Sequence, residues 1–67
     1  MNNLLLPIAR KAGFTLRAAD DHIAELRLHN EIVARFSLAG MSVKEVNLTA
    51  SRILGERVAK IFGVKGD

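Results

Sequence analysis

Cysteine is absent from this chain, so neither disulfides nor thiolate metal ligands can stiffen it. Two histidines, His22 and His29, are too few for a structural zinc site, and no metal or cofactor is expected. Tryptophan and tyrosine are absent too, and there are only three phenylalanines. Little aromatic surface is left on which nucleic-acid bases could stack. No run approaches the roughly 18 apolar residues that would cross a bilayer. The Leu4-Leu5-Leu6 stretch has no basic residue before it and is broken early by Arg10 and Lys11, unlike a signal peptide. Nor is there a glycine-rich phosphate loop, an HExxH sequence or a Ser-His-Asp spacing. These absences predict a soluble, cytoplasmic protein that is not an enzyme and does not bind membranes.

What is present is enough for one small domain over residues 1–67. A chain of this size buries only about 60% of the surface its unfolded form exposes, so it folds with little to spare. With disulfides and metals excluded, oligomerisation is the remaining remedy, and a homodimer is expected. Ten Lys/Arg against seven Asp/Glu give a formal charge of +3, which favours solubility and permits nucleic-acid binding without requiring it.

From Phe14 to Leu38 the apolar residues fall almost entirely on even positions, with Thr15, Arg17, Glu25, Arg27, Arg35 and Ser37 on odd ones. A period of two means strands with one buried face. Turn signals at Asp20-Asp21 and His29-Asn30-Glu31 divide the stretch into three. Even residues pair with even across an antiparallel hairpin only when the loop has an odd length. Three-residue loops at 19–21 and 29–31 therefore predict Leu16 opposite Ala24, Phe14 opposite Leu26, Leu28 opposite Ile32 and Glu25 opposite Arg35.

Helices flank the strands. Leu5, Ile8, Ala9 and Ala12 make a short stripe over 5–12, with Pro7 confined to the first turn and Gly13 as the stop. Ser42-Val43-Lys44-Glu45 is a capping box, followed by the stripe Val43, Val46, Ala50, Ile53, Leu54, Val58 and Ile61. The prediction is an α+β fold, α-β-β-β-α, with both helices on the even face of a three-stranded antiparallel sheet.

Three features could carry function. His22 opens the second strand, where imidazole could act as a general base helped by Asp20 or Asp21. Its even position points instead to a strand-end residue partly covering the core. Helix, Lys11-Ala12-Gly13-Phe14, three strands with a histidine opening the second, and a closing helix resemble the HicA-type toxins. Those are small RNases with a fold similar to double-stranded-RNA-binding domains, and the resemblance implies RNA cleavage through His22. It covers most of the chain in element order but few residues in motif. The toxins carry Gly-Ser or Gly-Thr before this histidine, whereas Asp20-Asp21 place two carboxylates where phosphate would lie.

The second feature is the odd face, where Arg17, Arg27 and Arg35 could contact phosphates. The third is the end of the long helix. Twenty helical residues reach roughly 30 Å, and a strand of six or seven covers about 20–23 Å. Val58, Ile61, Phe62 and Val64 then have no sheet to cover. Either a kink near Gly55 folds them back onto the N-terminal helix, or they pack on a second subunit or another protein. The leading expectation is a non-enzymatic protein-interaction module that self-associates. A nucleic-acid-binding regulator is the alternative, and a HicA-like RNase the weaker one.

Overall fold

The computed structural model of the protein describes residues 1–63. The alternating stretch forms β1 (Phe14–Ala18), β2 (Ile23–Leu28) and β3 (Glu31–Ser37), an antiparallel sheet in the order β1-β2-β3. A 3-10 turn at Asn2–Leu4 and a short helix α1 (Pro7–Lys11) precede it, and α2 (Val43–Ile61) follows. The α-β-β-β-α order of the sequence reading is the fold.

Pro7 sits at the first position of α1, where its missing N–H costs no bond. Gly13 follows with φ +107°, and a methyl group there would run into the His29 ring. Only glycine meets both demands. The expected stripe over 5–12 is divided, because the helix starts at Pro7 and Leu5 precedes it. Leu5 and Ala9 are buried, while Ile8 is exposed.

Parity predicts the faces and misses part of the register. Phe14, Leu16, Ala24, Leu26, Leu28 and Phe36 are buried in one cluster with Leu5, Ala9, Val46, Ala50 and Ile53. In the first hairpin, however, Phe14 pairs with Leu28, Leu16 with Leu26 and Ala18 with Ala24, two residues away from the expected pairing. Asp20 accounts for the longer connection. Its Oδ1 accepts from the His22 and Ile23 N–H groups at 2.7 and 2.9 Å, an Asx turn that holds His22 outside the ladder.

In the second hairpin Ala24 meets Phe36, Glu25 meets Arg35 and Leu26 meets Ala34, as expected. Beyond Leu26 the ladder skips Val33, so Arg27 pairs with Ile32 and Leu28 with Glu31. His29 and Asn30 make the turn, with φ of +49° and +72°. Two positive φ values suit the type I′ hairpin turn, and the bulge at Val33 absorbs the change of parity. The expected Leu28–Ile32 pair is therefore not made. Ile32 is exposed, while Val33 packs against the core.

The Ser42 hydroxyl accepts from the Glu45 N–H at 3.1 Å and starts α2. Val46, Ala50 and Ile53 are its buried face. Asn47 binds the chain's beginning to this helix: Oδ1 accepts from Leu6 N–H at 2.8 Å, and Nδ2 donates to the Leu4 and Val43 carbonyls at 3.0 and 2.8 Å. Asn2 Oδ1 accepts from the Leu16 N–H and fixes the same segment to β1. No helix among the described residues is long and apolar enough to cross a membrane.

Candidate functional site

On the outer face of the sheet the register gathers the three arginines around one carboxylate. Glu25 lies directly opposite Arg17 on one side and Arg35 on the other. Arg27, two residues along the same strand, donates to Glu25 Oε1 from Nη2 at 3.1 Å and from Nε at 3.3 Å. Glu25 is only 9% exposed although it lies on the open face. Arg17 and Arg35 are exposed, and Arg27 is half-buried. The sheet thus brings together all three predicted residues, with one of them committed to an internal ion pair.

His22 is exposed and does not cover the core. It precedes β2, so strand parity does not govern it, and its carbonyl accepts from Leu38 N–H at 2.8 Å. The neighbouring Asp20 carboxylate is engaged by two backbone N–H groups of the turn. Among the described residues no three His, Asp or Glu side chains come together as a metal would need.

The end of α2 projects beyond the sheet as one unbroken helix through Gly55. The kink that would fold it back is not formed. Arg57 stands where the sheet ends, its Nη2 3.0 Å from Oε1 of Glu31, the first residue of β3. Past this point Val58, Ile61 and Phe62 are 44, 78 and 76% exposed. Val64, the fourth residue predicted for this surface, lies outside the described residues. The molecule is elongated, 39 Å along its longest axis, with a radius of gyration of 12.3 Å against the roughly 11 Å expected for a chain of this size.

Two depressions border this helix. One, of about 840 Å³, runs between β3 and the last turns of α2, with Ile32, Val33, Ile53 and Ile61 lining it beside Glu31, Glu56, Arg57 and Lys60. The other, of about 180 Å³, lies between α1 and α2 among Leu6, Ile8, Ala9, Phe14, Ala50 and Leu54. Leu6 and Ile8 are 53 and 73% exposed at its mouth. The apolar stripe read over 5–12 placed Ile8 in the core and hid this second apolar surface. The signal was Pro7, which sets the helix start and so the direction of Ile8.

Fold and surfaces together define a small α+β domain with an unpaired helix end. No protein-family model matches the chain, and no curated protein or solved structure is significantly similar to it.

Proposed function

We propose that the protein is a small non-enzymatic assembly module of the cytoplasm that self-associates as a homodimer through the end of α2. The observation that carries this reading is the exposure of Val58, Ile61 and Phe62 on an unbroken helix beyond the sheet. Each contributes about 1.5–3 kcal/mol when fully buried, a large sum for so small a domain. A second copy takes these residues out of water without any change in the fold of either chain.

Nucleic-acid binding through Arg17, Arg27 and Arg35 is the second reading, favoured by their convergence on one face. Against it stand Glu25 at the centre of the cluster and the location of Phe14 and Phe36 in the core. RNA cleavage through His22 is the weakest, since Asp20 is engaged in the turn.

One experiment separates these readings: light scattering after gel filtration, with and without added nucleic acid. The parent should be a dimer at micromolar concentration, and the double variant Ile61→Asp, Phe62→Lys a folded monomer. A monomeric parent removes the leading reading. A parent that binds nucleic acid with steep salt dependence, lost on changing all three arginines to Gln, establishes the second.

A further inference from the structure

Part of the exposed apolar surface of α2 runs on towards α1, while Ile61 stands at its border and also lines the groove beside β3. Leu54, Val58 and Phe62 recur every four residues and so share a face of the helix. Leu54 also lines the cleft whose mouth is formed by Leu6 and Ile8. Even with the roughly 200 Å² of an aromatic side chain taken as the upper value for each, the exposed fractions of Leu6, Ile8, Val58, Ile61 and Phe62 add up to at most roughly 650 Å². A stable pair of proteins buries about 800 Å² a side.

This surface contains a knob and a hole of matching size. Phe14 and Phe36 are in the core, so Phe62 is the one exposed aromatic among the described residues. The cleft measures about 180 Å³ and is lined mainly by apolar side chains. An apolar cavity of about 150 Å³ is enough to take a benzene ring. The knob cannot reach the hole of its own chain, because both lie along one straight helix. It can reach that of a second copy.

We propose that two copies pair with their α2 helices antiparallel about a two-fold axis at Val58, each Phe62 ring entering the partner's cleft beside Leu54. This arrangement rests on the self-association reading above and specifies its geometry. In an antiparallel pairing centred on residue 58, residue 62 of one helix is level with residue 54 of the other, and residue 61 with residue 55. Gly55 has open space where a Cβ would stand, so a second copy's Ile61 can approach bare backbone there. Helix α2 ends at Ile61 with Phe62 as its cap, so the phenyl ring stands at the tip of the helix. The larger groove beside β3 suits a phenyl ring less well, with Glu31, Glu56, Arg57 and Lys60 around it.

Because the chain has no cysteine, one introduced thiol reports this axis without interference. Val58→Cys brings two copies of the same residue face to face, within the Cα separation of about 4.4–6.8 Å that a disulfide requires. Under mild oxidation it should give a covalent dimer, while Arg52→Cys, on the far side of the helix, should not. The chain also lacks tryptophan, so Phe62→Trp gives a single indole emission, which should shift to the blue as concentration rises. A dimer by light scattering in which Val58→Cys does not cross-link, or in which the emission of the Phe62→Trp variant stays red, overturns this arrangement and leaves self-association standing. A parent that is monomeric at every concentration overturns both.

Discussion

In the first half of α2, Val46, Ala50 and Ile53 lie against the sheet and lose nearly all contact with water. In the second half, Val58, Ile61 and Phe62 are just as apolar and remain in it. The helix does not change between them, since it runs unbroken from Val43 to Ile61. What changes is the sheet, which ends where Arg57 meets Glu31. Helical periodicity thus records which face of a helix is apolar, and says nothing of how far the covering surface extends. The length of the strands supplies that second fact, and the mismatch between the two lengths is where an unused apolar surface arises.

Matched substitutions break or sharpen this comparison. The largest contrast is between two phenylalanines. Phe36→Ala should cost about 3–5 kcal/mol of stability, while Phe62→Ala, measured at a dilution where copies do not pair, should change it by less than about 0.5 kcal/mol. Ile53→Ala and Ile61→Ala repeat the contrast at about 2–5 kcal/mol against the same small value. Denaturant melts give both numbers. Equal costs for the two phenylalanines in dilute solution would show that the end of α2 packs within its own chain.

A smaller effect is expected at Asn47, which belongs to the first half. Asn47→Ala removes bonds to Leu4 and Leu6 and should cost about 1–3 kcal/mol, seen as a lower melting midpoint. At the boundary itself the effect should be smaller still. Arg57→Ala removes an ion pair whose side chains are 43 and 63% exposed, and its cost should stay under about 1 kcal/mol and shrink in high salt. A larger, salt-insensitive loss would mean that the Arg57 stem holds the helix on the sheet by packing.

Element order and the buried face were legible because both follow from periodicity, which is local. Register was less so. Parity fixes a hairpin only to the nearest two residues, so it could not choose between the expected pairing of Leu16 with Ala24 and the observed pairing with Leu26. That choice belongs to Asp20, whose side chain lengthens the turn. Nor could parity foresee Val33, since a bulge lets a two-residue turn coexist with an even-numbered core. The end of α2 was legible from lengths alone. Its continuation onto Leu6 and Ile8 was not, because it depends on where Pro7 starts α1. The role of Asn47 in holding Leu4 and Leu6 carries no sequence signal, since those two partners lie more than forty residues away.

That last separation bears on the order in which the chain assembles. The two hairpins close over turns of a few residues, and α2 grows from its own cap, so each can form early. The bonds of Asn47 to Leu4 and Leu6 close a loop of 43 and 41 residues, about three doublings longer than a hairpin turn. At about 0.6 kcal/mol for each doubling, the entropic cost is roughly 2 kcal/mol greater. The first residues of the chain therefore dock last, onto a sheet and helix already in place. They are also the first to leave when the domain opens, taking Leu4 and Leu5 away from the core while the three strands stay paired.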